Sequence, residues 1–165
     1  MEARAHKDAS MSRVMLLFWL VSVGTLGCRT VSRPEIAGTW VIVDKSLLPA
    51  TQQSAASTLV LDPSGTFVAT EVPGATYYAP PEVKDRVFSA TGTWKLEKYE
   101  GRQEVRLVIQ SITSGPSARL PYSSGLGIST GWSSVVLYYF QGDPDEGRRV
   151  DFEKQTGQTK AAGAQ

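Results

Sequence analysis

FSATGTWKLEKYEGRQEVRLVIQSI, residues 88–112, carries the pattern that decides the fold. Strict alternation sends Phe88, Ala90, Gly92, Trp94 and Leu96 to one face. Past the turn Tyr99-Glu100-Gly101-Arg102, Val105, Leu107 and Ile109 share a face, with Glu104, Arg106 and Gln110 opposite. Side chains of a strand alternate with period two, so these runs are half-buried strands of a hairpin whose apolar faces meet one core.

The same signals extend both ways. Residues 39–44 and 57–62 read as strands, the second with Leu59 and Leu61 on one face, and Asp62-Pro63-Ser64-Gly65 turns the chain into a partner over 66–72. Proline presets φ in such a turn and glycine is free to take φ > 0. Residues 132–140 are nearly continuous in apolar side chains, as in a strand covered on both sides, and 142–147 turn it into a last strand over 148–153. Residues 45–56, rich in Ala, Gln and Ser, suit a helical turn or two. The expectation is an all-β domain, an antiparallel meander of about seven to eight strands forming a small barrel or closed sandwich.

Ahead of this domain, an uncharged run from Val14 to Gly27 follows Arg4, Lys7 and Arg13. Basic, then apolar, then small residues is the order of a signal peptide. The run has 14 residues, short of the roughly 20 that a membrane-spanning helix needs. It ends in Thr25-Leu26-Gly27-Cys28, which resembles the lipobox of bacterial lipoproteins, with Thr25 where that family prefers Leu. The resemblance implies a signal peptide at 1–27, acyl chains on Cys28, a lipidated tether at 28–35 and a membrane partner reached through those chains. Arg29, not aspartate, follows the cysteine, so the resemblance points to the periplasmic face of the outer membrane. Several acyl chains, at ~0.8 kcal/mol per buried CH₂, make such attachment durable.

Behind residue 27 stand 138 residues, one domain's worth of core; the β domain is expected at 36–154 with a tail at 155–165. Of 17 basic and 16 acidic residues, Arg4, Lys7, Arg13, Glu2 and Asp8 belong to the signal, leaving 14 of each. A balanced chain without a Lys/Arg cluster lacks the electrostatic footprint of a nucleic-acid binder. Cys28 is the sole cysteine, so no intrachain disulfide is available and burial alone stabilises the fold. His6, the only histidine, leaves with the signal, which removes imidazole catalysis and most transition-metal sites from the mature domain. The domain is expected to be no enzyme and to use no metal or cofactor. A carboxylate-dependent hydrolase needs two acids facing one cleft, and no such pair is indicated.

Gly38-Thr39-Trp40 and Gly92-Thr93-Trp94 repeat, Gly65-Thr66-Phe67 is a variant and Gly131-Trp132 a shortened echo. In each, a glycine turn delivers an aromatic onto a strand that buries it, so Trp40 and Trp94 are expected in the core. The opening Gly-x-Trp of an exported β domain resembles the start of lipocalins and lipocalin-like lipoproteins, over about Ile36 to Lys154; the family's later Thr-Asp-Tyr signature is absent. That resemblance implies that Trp40 plugs the closed end of a barrel under a basic residue near the last strand, with Arg148, Arg149 and Lys154 the candidates, a contact worth ~0.5–2 kcal/mol. The chain also looks like small bacterial lipoproteins, a likeness that carries a fold and no activity.

Two long connections are the expected functional surface. Residues 73–86 hold Tyr77, Tyr78, Pro80 and Pro81, a stiff aromatic segment, and the Gly/Ser-rich stretch 113–131 holds Tyr122. Tyr77, Tyr78 and Tyr122 are the candidate ligand contacts if these loops rim a cup. Asp143, Asp145 and Glu146 suit a hairpin turn better than a cation site, and Gly125-Leu126-Gly127 lacks the context of a dinucleotide loop. The functional expectation is a membrane-tethered, non-enzymatic module that binds a small apolar molecule or an envelope partner, or else an accessory protein with a filled core.

Overall fold

The computed structural model describes residues 29–54, 56–73, 86–115, 117–141 and 143–156. The chain divides into Met1–Thr30 and Val31–Gln165. Cys28, Tyr77 and Tyr78 lie outside the described residues.

Eight strands form the second unit: β1 (Gly38–Ile42), β2 (Thr58–Leu61), β3 (Thr66–Pro73), β4 (Val87–Tyr99), β5 (Arg102–Ser114), β6 (Tyr122–Thr130), β7 (Val135–Phe140) and β8 (Arg149–Lys154). Each pairs antiparallel with the next, and β1 closes on β8 with Trp40 opposite Lys154 and Ile42 opposite Phe152, giving a closed barrel. Helix α1 (Arg33–Ile36) precedes β1, and α2 (Ala50–Gln53) lies in the β1–β2 connection. The meander expected from the turn spacing is therefore an eight-stranded barrel.

The β4–β5 hairpin follows the alternation of its sequence. Ala90, Gly92, Trp94, Val105, Leu107 and Ile109 are buried, while outside Arg106 pairs with Glu97 and Glu104 at 2.7 Å each. Apolar inside and charged outside is the reverse of a membrane-spanning barrel, whose lipid-facing band is apolar. Eight strands enclose an interior just wide enough to be filled by side chains or to hold one small ligand.

Antiparallel order sorts the connections by end. The entry into β1 and the short turns at 62–65, 100–101 and 131–134 share one end, here the closed end. The longer β1–β2, β3–β4, β5–β6 and β7–β8 connections share the other, the open end.

Three expectations change. The Gly/Ser-rich stretch 113–131 is not one long loop, since residues 122–130 form β6, paired from Glu104–Gly127 to Ile109–Tyr122 with β5. Tyr138, opposite Gly127 on β7, lies where a Cβ at that glycine would stand, so a neighbouring ring covers the strand. Trp132 does not begin a buried strand: β7 starts at Val135, residues 131–134 form a turn closed by the Gly131 N–H donating to the Ser134 carbonyl, and Trp132 is fully exposed. Residues 31–36, assigned mostly to the tether, are docked on the barrel, with Val31 and Ile36 buried in its core.

Candidate functional site: the two barrel ends

At the closed end, Glu35 accepts from the backbone N–H and hydroxyl of Ser32, which winds α1 tightly. The Gln103 side chain accepts from the Val31 N–H at 2.7 Å and donates to the Val31 carbonyl at 3.1 Å, fixing the entering strand of chain. Ile36 thus plugs the barrel with no exposed surface. Trp40, equally buried, donates its indole N–H to the Ile36 carbonyl at 2.8 Å. Trp94 donates its own to the Asp62 carbonyl at 2.7 Å. Each ring also meets a cation: Lys154 Nζ stands 5.8 Å from the Trp40 centroid and the Arg33 guanidinium 4.9 Å from that of Trp94.

Of the three basic candidates for Trp40, Lys154 occupies the position. Its ammonium also donates to the Glu35 carbonyl at 2.8 Å, binding β8 to α1 across the plug. It passes over Gly38, whose φ of 140° and missing Cβ leave room: a Cβ there would lie 2.6 Å from Lys154 Cε. Arg148 is instead mostly exposed beside Glu146, at 3.6 Å. Arg149 pairs with Asp151 at 2.6 Å and lies over the outward-facing Tyr138 ring.

Among the described residues, the interior is not filled at the open end. A cavity of about 50 Å³ lies there. Leu59, Phe67, Val72, Leu107, Leu126 and Phe152 are among its walls. The polar side chains among its lining residues are Tyr122 and Ser124 of β6 and Tyr139 of β7. No aspartate, glutamate, lysine, arginine or histidine is among its described lining residues.

The Tyr122 and Tyr139 hydroxyls are buried and have no hydrogen-bond partner among the described residues. Burial pushes the Tyr122 phenol up to about 12 and raises that of Tyr139 as well. Both groups are therefore neutral donors at ordinary pH. Tyr122, expected at a loop from the sequence, is the first residue of β6 and lines the cavity. Tyr139 was not singled out in the sequence, because it sits inside the nearly continuous apolar run of β7.

The β1–β2 connection packs over the open end. Leu48 joins the core cluster, and the Gln52 amide of α2 is buried with no partner among the described residues. The segment is pinned where the Ser57 hydroxyl donates to the Glu71 carbonyl at 2.7 Å and Glu71 accepts from the Ala56 N–H. In the β7–β8 connection, Asp143 accepts from the Asp145 N–H at 2.9 Å, so its carboxylate is engaged in the turn. Among the described residues no cluster of three metal-ligating side chains occurs.

Fold and geometry define an eight-stranded antiparallel barrel, plugged at one end by Ile36 and, among the described residues, with a small apolar cavity towards the other. No family model matches the chain, and no curated protein or solved structure matches it.

Proposed function

We propose that the chain is a lipid-anchored protein of the bacterial cell envelope whose barrel binds a small, largely apolar molecule at the open end. The observation that carries this reading is the apolar cavity, which lies at the end opposite to the chain's entry. The lipobox-like Thr25-Leu26-Gly27-Cys28 ends only three residues before Val31, the first residue of the barrel unit. Acyl chains on Cys28 would hold the closed end towards the membrane and turn the mouth towards the periplasm. Arg29 after the cysteine favours the outer membrane.

The lipocalin-like reading draws support from Trp40 beneath Lys154 at an end sealed by a short N-terminal helix. Trp132, fully exposed at the β6–β7 turn, belongs to the same end, where an indole suits the headgroup layer of a bilayer. The absence of charged residues from the described cavity lining favours binding over carboxylate-dependent hydrolysis. The narrowness of the interior favours a second reading, an accessory envelope protein that carries no ligand.

Native mass spectrometry of the full protein, released from detergent micelles, separates the two. A reproducible mass excess beyond the acyl chains, lost on denaturation, is expected for a binding module. The polypeptide with its acyl chains alone would turn the assignment to the accessory role. The anchor has its own test: Cys28→Ala is expected to abolish palmitate incorporation and move the protein to the soluble fraction, and continued labelling would refute lipidation.

A further inference from the structure

We propose that the cavity selects neutral molecules bearing a hydrogen-bond acceptor, a carbonyl or hydroxyl oxygen on a hydrocarbon body, read by the hydroxyls of Tyr122 and Tyr139. This inference rests on the binding function proposed above and names the class of ligand.

The two tyrosines come from neighbouring strands and line one cavity. Tyr139 is 4 % exposed, and its hydroxyl is buried without a partner among the described residues. Folded proteins seldom leave such a group orphaned, since a buried hydroxyl without a partner forfeits its hydration. An acceptor brought in by a ligand restores the missing bond. Both phenols hold their protons far above neutral pH, so they offer donors and no negative charge.

The walls narrow the class further. A carboxylate or phosphate would enter an apolar space whose described lining holds no cation to receive its charge. A cation would meet no carboxylate there. A hydrocarbon would satisfy the walls and leave both hydroxyls unpaired. Small ketones, esters and alcohols satisfy walls and hydroxyls together.

The test uses three probes built on the same ring, cyclohexanone, methylcyclohexane and cyclohexanecarboxylate, titrated into the full-length protein while the resonances of the cavity side chains are followed by NMR. Cyclohexanone is expected to bind the native protein about tenfold more tightly than it binds Tyr122→Phe/Tyr139→Phe, the worth of one recovered buried hydrogen bond. The carboxylate is expected to bind most weakly. Methylcyclohexane should bind both proteins with the same affinity, so the ratio of the two neutral probes should change between them. If both neutral probes bind and the preference is the same in the double variant, the hydroxyls do not read the ligand, and the cavity's binding role stands. If neither probe shifts the cavity resonances of the native protein, the binding role falls and this inference with it. Should the double variant fold poorly, Tyr139→Phe alone carries the same comparison.

Discussion

At the closed end the indoles of Trp40 and Trp94 each donate to a carbonyl and each lie under a cation. At the open end the hydroxyls of Tyr122 and Tyr139 are buried among apolar walls and donate to nothing among the described residues. Both ends bury large aromatics that carry one polar atom, and the barrel is continuous between them. They differ in completeness. The closed end is finished by the chain itself, through α1, Lys154 and the β2–β3 turn. At the open end the two tyrosine hydroxyls have no partner among the described residues, and the proposed binding function rests on that difference.

The comparison breaks most visibly if the plug is removed. Trp40→Ala is expected to cost about 3–5 kcal/mol, as for a large aromatic lost from a packed core, read from urea unfolding of the full-length protein. A loss below about 1 kcal/mol would mean that the sealed end does not hold the barrel together.

Alkaline titration probes the other end. The Tyr122 phenol titrates near 10.0 in an unfolded chain and near 12 in the fold. The unfolded chain therefore sheds its proton first, so stability is unaffected below about pH 10 and falls as pH rises from there towards about 12. Urea midpoints at about pH 9 and about pH 11 should differ in the native protein, and the difference should shrink in Tyr122→Phe/Tyr139→Phe. An equal fall in both would place the alkaline sensitivity elsewhere.

Lys154→Met sharpens the account of the plug. It keeps much of the side-chain stem but loses the charge over Trp40 and the bond to Glu35, at an expected cost of about 0.5–2 kcal/mol. Arg148→Met, at an exposed position, is expected to stay within about 0.5 kcal/mol of the native protein. Equal losses would argue against Lys154 as the cation that matters. The smallest effect on stability belongs to Trp132→Ala, within about 0.5 kcal/mol because the side chain is fully exposed. Its consequence is expected instead in weaker association of the protein with lipid vesicles.

Much of the barrel was legible because its longest strands alternate over most of their length: residues 88–96 and 105–109 face one core by counting in twos, before a bulge in β5 shifts the phase and brings Ile112 to the core. β6 was not, since Tyr122, Ser124, Leu126 and Ile128 alternate with serines and glycines that mimic a loop. Those glycines make sense only with their neighbours in place, where Tyr138 covers Gly127 and the Glu104 carboxylate crosses Gly125. Trp132 misled for the opposite reason, an aromatic after a glycine at the tip of a turn. The choice among Arg148, Arg149 and Lys154 depended on register, and only the Trp40–Lys154 pairing of β1 with β8 decides it. Tyr122 stood out as an aromatic in a polar stretch, whereas Tyr139 is visible as a polar group only once its hydroxyl is seen to lack a partner.

The most direct test deletes one buried donor at each end by a conservative change and compares unfolding free energies without ligand. Trp40→Phe loses the bond to the Ile36 carbonyl and should destabilise by roughly 1–3 kcal/mol, whereas Tyr139→Phe removes a hydroxyl with no partner among the described residues and should be neutral or stabilising by about 1 kcal/mol. A loss of similar size in both would show that the Tyr139 hydroxyl is already satisfied within the barrel, and the contrast between a finished end and an unfinished one would not hold.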